Sequence, residues 1–235
     1  MSRSESADVS RETVRRQVFG DRYDLAAAYA DILRTDGVVR GLVGPREADR
    51  MWDRHLLNCA VIAPAFEPGA RVADLGSGAG LPGVVLAIAR PDLTITLVEP
   101  LLRRATFLQE VLDRLGLASA TVLRARAEDL RGTLSADAVT ARAVAPLDRL
   151  AGWGLPLVVP GGSLLAIKGA QADAELLAAE PALRRLGAES WEVREYGQGV
   201  VEPPVRRVCV RRSAADVPAA TAARSRRGRG RSPRR

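Results

Sequence analysis

Residues 74–83 read Asp74-Leu75-Gly76-Ser77-Gly78-Ala79-Gly80-Leu81-Pro82-Gly83. Immediately upstream, Arg71–Leu75 is a short apolar run of strand character; immediately downstream, Val84–Arg90 has helical character. A glycine loop carries little information alone. Between a strand and a helix it marks a place where the backbone turns tightly and approaches a ligand closely. The spacing is G-x-G-x-G, which departs from the G-x-G-x-x-G of dinucleotide sites. Pro82 stands early in the following helix, where its missing N–H costs nothing.

The same strand-then-helix pattern repeats outward from this loop. Thr94–Val98 is a second strand and Leu101–Leu115 a second helix, closed by Gly116. Ala120–Leu123 and Ala138–Thr140 are the third and fourth strands, and Leu147–Val159 is helical despite Gly152, Gly154 and Pro156. Pro160-Gly161-Gly162 turns into a fifth strand, Ser163–Lys168, followed by a helix over Ala172–Glu180. Alternation of this kind predicts an α/β fold with a parallel, doubly wound sheet. The last two strands, Trp191–Tyr196 and Val205–Val210, are separated only by residues 197–204, so they are expected to form an antiparallel hairpin at the sheet edge.

Upstream, apolar residues recur with helical period from Tyr23 (Leu25, Tyr29, Ile32, Leu33), and Gly37 stands where that helix is expected to stop. A second stripe joins Ala48, Met51, Trp52, His55 and Leu56. The expected organisation is therefore a disordered stretch over 1–10, a helical region over 11–68, an α/β domain over 69–212, and a disordered tail over 213–235. Charge supports the last boundary. The net charge is +7, yet residues 224–235 alone hold seven arginines and no acid, which leaves 28 bases against 28 acids in the rest. The tail reads either as a source of salt-sensitive phosphate contacts or as a solubilising extension. The longest strongly apolar stretch near the glycine loop, Val84 to Ala89, is far short of the roughly 18–20 residues a membrane helix needs. With no apolar leader after Met1 and only Cys59 and Cys209 as cysteines, a cytoplasmic location without membrane or disulfides is expected. Those cysteines and the single His55 make no zinc pattern.

Three consecutive strand ends carry ligand-binding candidates. The loop itself (Gly76, Ser77, Gly78, Leu81) faces the first. Glu99 ends the second strand, placed to accept from two ribose hydroxyls. Arg126-Ala127-Glu128-Asp129 follows the third, where backbone N–H groups and carboxylates can read a nucleobase. The alternative for Glu128 is a first-turn acid set against a helix dipole. Together these grips fit S-adenosyl-L-methionine at the carboxyl edge of the sheet.

The glycine motif with its Leu-Pro-Gly ending resembles that of the RsmG family, also called glucose-inhibited division protein B. So do Arg103-Arg104-Ala105-Thr106-Phe107-Leu108, Arg126-Ala127-Glu128, Arg142-Ala143-Val144, Ile167-Lys168-Gly169 and, upstream, Trp52-Asp53-Arg54-His55-Leu56-Leu57-Asn58. The resemblance covers roughly residues 20–210. It implies a class I (Rossmann-like) methyltransferase moving a methyl group from S-adenosylmethionine to N7 of a guanine in 16S ribosomal RNA near the decoding centre. It implies cofactor contacts at Gly76, Leu81, Ala127, Glu128 and Arg142, with Glu99 as the ribose acid. The sequence departs from the family in having Glu99 where Asp is common and Arg at 103 and 104 where Lys is common.

Guanine N7 has a free lone pair and no proton to lose, so the expected machinery is positioning and electrostatics without a general base. The candidates are Arg142, ending the fourth strand, and Lys168, ending the fifth. The bland alternatives are an ion pair of Arg142 with Asp137 or Asp148, and a solvated strand-end charge at Lys168. Against the latter stands composition: of 35 basic residues, Lys168 is the sole lysine, in a chain that uses Arg for every other positive charge. His55, on its apolar stripe, reads first as a core histidine, with packing at the cofactor or RNA edge as the second reading. Neither cysteine follows a proline, and no Asn-Pro-Pro-Tyr-like run appears, which argues against C5 and amino-group methylation. Other classes are a small-molecule methyltransferase, which needs a closed apolar acceptor pocket; a nicotinamide dehydrogenase, disfavoured by the loop spacing; and a non-enzymatic RNA-binding module.

Overall fold

The computed structural model describes residues 3–215. Most of the expected arginine-rich tail, from residue 216 on, lies outside the described residues. Seven strands form one sheet: β1 (Arg71–Leu75), β2 (Thr94–Val98), β3 (Ala120–Leu123), β4 (Ala136–Arg142), β5 (Val158–Lys168), β6 (Ala188–Tyr196) and β7 (Val205–Arg212). Their order is β3-β2-β1-β4-β5-β7-β6. The first five are mutually parallel, and β7 runs antiparallel to both β5 and β6. The closing hairpin thus sits at the sheet edge with its reversed strand on the inside.

Among the described residues seven α-helices surround the sheet: α1 (Arg3–Phe19), α2 (Tyr23–Ile32), α3 (Leu57–Ala60), α4 (Gly83–Ala89), α5 (Leu102–Leu115), α6 (Leu147–Gly154) and α7 (Ala172–Arg185). Strand alternation decides which helices each residue meets. Val72, Ile95, Leu97 and Leu165 face a core shared with α2 to α5 and the end of α1. Ala73, Leu75, Val139 and Leu164 face the opposite core, shared with α6 and α7. Helices on both faces bury both sides of the parallel strands, which is why those strands read as continuous apolar runs.

Three boundaries differ from expectation. Residues 3–10 belong to α1, where a disordered stretch over 1–10 was expected. The stretch Arg3–Phe19 contains no Gly or Pro, and its far end is anchored on Trp52. There the Phe19 ring packs edge-on at 6.0 Å and the Arg15 guanidinium lies 4.9 Å over the indole. Gly37 does not stop α2; the helix widens into a π turn over Leu33–Gly37 and breaks at Gly41, whose φ is +66°. Finally, β5 begins at Val158, with Pro160-Gly161-Gly162 inside it as an irregularity opposite Ala136 and Ala138. A Cβ on Gly162 would lie 2.4 Å from the Asp137 carbonyl oxygen, so the glycine permits strand approach there.

Candidate active site

The carboxyl ends of β1, β2, β4 and β5 converge on two cavities. The first, about 650 Å³, is lined by Gly76, Glu99, Pro100, Leu101, Arg104, Arg124, Ala125, Arg126, Asp129, Ala143 and Val144. The glycine loop reaches it at Gly76. Gly76 has φ +64°, and a Cβ there would come within 2.9 Å of Val144 Cγ2, so the position requires glycine twice over. Gly83 serves packing: a Cβ would meet Leu97 Cδ2 at 2.3 Å. Its N–H donates to Asp74 Oδ2 at 3.0 Å. The Ser77 hydroxyl donates to the Asp74 carbonyl at 2.8 Å, and Tyr29, wholly buried in α2, donates its hydroxyl proton to the Ala79 carbonyl at 2.7 Å. The N-terminal helices thus hold the loop from behind. Burial pushes the Asp74 carboxyl up to about 7, against the lowering effect of the Gly83 N–H bond.

Glu99 is 1% exposed. Its two oxygens accept from the Gly78 N–H at 3.0 Å and the Leu101 N–H at 2.9 Å. Those bonds fix the carboxylate in orientation and leave further lone pairs for ligand hydroxyls. The volume lies within the range of small-ligand sites. An acid at the end of β2, a side-chain-free approach at Gly76 and exposed arginine and carboxylate groups beyond β3 suit the amino-acid, ribose and base parts of S-adenosylmethionine.

The second cavity, about 830 Å³, is lined by Glu47, Arg54, His55, Asn58, Arg142, Ala143, Val144, Ala145, Pro146, Ile167, Lys168, Gly169 and Glu175. Ala143 and Val144 line both cavities. Ala143 is the one non-glycine residue with positive φ (+54°) among the described residues, a conformation held at some cost where the two cavities meet. Lys168 is largely buried; its Nζ donates to the Ala145 carbonyl at 2.7 Å and to Glu175 Oε2 at 2.6 Å. The solvated-charge reading of Lys168 is therefore discarded. Arg142 does not pair with Asp137, which accepts from the Arg71 backbone and guanidinium instead. It donates to the Arg54 carbonyl at 3.1 Å and to His55 Nδ1. His55 Nε2 lies 2.9 Å from Glu47 Oε2.

His55 thus faces the second cavity and is not a core residue, contrary to the first reading of its stripe. The reason is local: Met51–Leu56 is a π turn, whose wider winding changes the phase of the apolar face. Of the expected cofactor residues, Gly76 and Glu99 line the first cavity, while Ser77, Gly78 and Leu81 lie in the loop without lining it. Ala127 and Glu128 stand on a short 3₁₀ turn, Ala127–Leu130, where Arg126 and Asp129 are the residues that line the cavity. The sequence does not mark Glu47 or Glu175 as site residues, and it offers His55 at a ligand edge only as a second reading. The partners of His55 stand 8 and 87 positions away, so no local spacing advertises them. Cys59 is buried, and burial raises its thiol to about 11, which makes it a neutral side chain.

Fold and paired cavities define a class I S-adenosylmethionine-dependent methyltransferase. Among solved structures, a putative S-adenosyl-L-methionine-dependent methyltransferase of Methanococcus maripaludis matches with a TM-score of 0.56 at 12% identity, over 73% of this chain and 93% of that one. A SAM-dependent O-methyltransferase of Thermotoga maritima matches at 0.55 and 16%, over 73% and 71%. The family model described as GidB, rRNA small subunit methyltransferase G, matches residues 22–203, and the chain belongs to that family. Ribosomal RNA small subunit methyltransferase G of Salinispora arenicola is 56% identical over 226 residues, 92% of this chain and 93% of its own. Its counterpart in Streptomyces coelicolor is 58% identical over 189 residues, 80% and 79%. The protein is accordingly an rRNA methyltransferase that uses S-adenosyl-L-methionine.

Proposed function

We propose that the protein methylates N7 of a guanine in 16S rRNA near the decoding centre, within the small ribosomal subunit or its precursor, in the cytoplasm. The observation that carries this reading is the second cavity: it abuts the first across Ala143–Val144 and is lined by Arg142, Lys168, His55 and two carboxylates. An apolar small-molecule acceptor does not suit so charged a lining. S-adenosylmethionine, when bound, supplies an electrophilic methyl group. Gly76, Glu99 and the turn holding Ala127 and Glu128 hold the donor; its methyl group meets the acceptor at the border by Ala143 and Val144, which line both cavities. Arg142 and Lys168 bind and orient the guanine through its O6 edge or the adjoining phosphate, which leaves N7 free to attack in line. No proton moves in this transfer, so neither cation serves as an acid or base. The ring gains a positive charge, which the Glu47 and Glu175 carboxylates offset. The test is tritiated S-adenosylmethionine with naked 16S rRNA, native small subunits and small molecules, followed by N7-specific cleavage and primer extension. One labelled guanine in 16S rRNA is the expected result; label in another atom or RNA overturns it.

A further inference from the structure

Arg142 owes its place to a side chain that the methyl transfer itself does not use. Its Nη2 donates to His55 Nδ1 while its Nη1 donates to the Arg54 carbonyl. A ring nitrogen that accepts from a guanidinium carries no proton. The other nitrogen, Nε2, then bears the hydrogen and donates it to Glu47 Oε2 at 2.9 Å. We infer that Glu47 and His55 are a positioning pair that locks Arg142 into the second cavity only while the imidazole is neutral, so that the site is gated by one proton. The inference rests on the reading of Arg142 as an acceptor-orienting group.

The physical argument is one of hydrogen-bond direction. A protonated imidazole is a donor at both nitrogens and has nothing to offer a guanidinium except repulsion. The Arg142 head would then leave Nδ1, and the cavity would lose its oriented fork. The charged groups facing His55 are Arg142 from β4, Arg54 from its own turn, and Glu47 from the preceding 3₁₀ turn. Lys168 and Glu175 line the same cavity and are bonded to each other. Burial, and next Arg142, lower the imidazole below its ordinary value, and Glu47 opposes them. The neutral state is thus the resting one near neutrality. Guanine N7 transfer has no proton of its own to supply an acid limb. Asp74, which burial raises to about 7, belongs to the first cavity's loop.

The test has two independent readouts. The chain has one histidine, so long-range ¹H–¹⁵N NMR of the full-length enzyme reports its tautomer and titration without assignment. An Nε2–H tautomer that titrates below the usual histidine range is expected, and a mixed or Nδ1–H tautomer overturns the proposal even if no RNA is ever methylated. The second readout is single-turnover methylation of small subunits at saturating S-adenosylmethionine from pH 5.5 to 8.5. Wild-type rate is expected to fall as pH drops through the NMR midpoint. His55→Ala is expected to lose at least about tenfold at pH 8. His55→Asn, which keeps an acceptor where Nδ1 stood, recovers most of that loss and has no acid limb. Glu47→Gln removes a charge that favours the imidazolium, so its limb moves to lower pH. A His55→Ala rate within twofold of wild type in a folded protein overturns the proposal. An acid limb that persists unmoved in His55→Asn also overturns it, and assigns the limb to Asp74. Failure of the wild type to methylate small subunits at all counts against the rRNA reading and leaves the NMR result to decide the pair.

Discussion

Substituting Gly76 by alanine imposes two separate penalties. The φ of +64° places an L side chain in the left-handed region, which costs about 1–2 kcal/mol. The new Cβ would also lie 2.9 Å from Val144 Cγ2 and 3.2 Å from Cγ1, well inside normal contact. Overpacking of that kind costs about 1–3 kcal/mol when the neighbour cannot retreat. Val144 can retreat only by moving within the wall shared by the two cavities. Gly76→Ala is therefore expected to lose about 2–5 kcal/mol of stability in urea. It is also expected to weaken S-adenosylmethionine binding at least about tenfold by calorimetry, or about 1.4 kcal/mol. Val144→Ala removes both clashing methyls and leaves the φ penalty in place. The double variant should thus recover the steric share, with a coupling of about 1 kcal/mol or more. A Gly76→Ala protein with wild-type affinity, or effects of the two substitutions that simply add, would refute the reasoning.

Other outcomes follow from the same geometry. Lys168→Arg keeps the charge but places a wide fork where a compact ammonium sits between the Ala145 carbonyl and Glu175; single-turnover methylation should fall at least about tenfold while cofactor affinity changes little. Tyr29→Phe strands the buried Ala79 carbonyl and should cost about 1–3 kcal/mol in urea, together with cofactor affinity. Asp74, with its native value raised to about 7, binds a proton more readily folded than unfolded, so its contribution lowers stability as pH rises from about 4 to about 7. Asp74→Asn should flatten that fall relative to wild type in urea titrations at pH 5 and pH 8, and parallel curves would clear the carboxyl. Removal of residues 216–235 should leave cofactor affinity intact; a shallower salt dependence of RNA binding would assign the arginines to phosphate contacts, and an unchanged slope would make them a solubilising extension.

In the first cavity, Gly76 and Glu99 are legible in the sequence because their signals are local, whereas Arg126 and Asp129 line it in place of the expected Ala127 and Glu128. A glycine loop and a strand-terminal acid each announce themselves within a few residues. The second cavity was half legible. Arg142 and Lys168 stand at strand ends, which the alternating pattern locates, whereas Glu47 and His55 come from a helical region whose winding the sequence does not reveal. A π turn over Met51–Leu56 shifts side chains relative to a 3.6-residue stripe, and the stripe had assigned His55 to the core. The start of β5 was misplaced for a similar reason. Pro160-Gly161-Gly162 has turn composition, yet here the glycines let β5 continue past Asp137 as an irregular strand.

The insertion of β7 between β5 and β6 bears on how the chain reaches this state. Strand β5 carries Lys168 at its tip, and its outer edge pairs with Lys168↔Arg206 through Ser163↔Arg211. Until residues 205–212 have left the ribosome, that edge has no partner, and β6, already synthesised, has none either. A nascent chain truncated between β6 and β7 therefore presents the unpaired edges of both β5 and β6, each able to recruit a foreign strand. The β5–β7 pairings run from Lys168↔Arg206 to Ser163↔Arg211, so they close a far longer loop than the β6–β7 hairpin and are late by loop-closure entropy as well as by order of synthesis. The final described strand acts as a keystone, and a stall or frameshift within it should yield insoluble chains rather than a smaller, partly active enzyme.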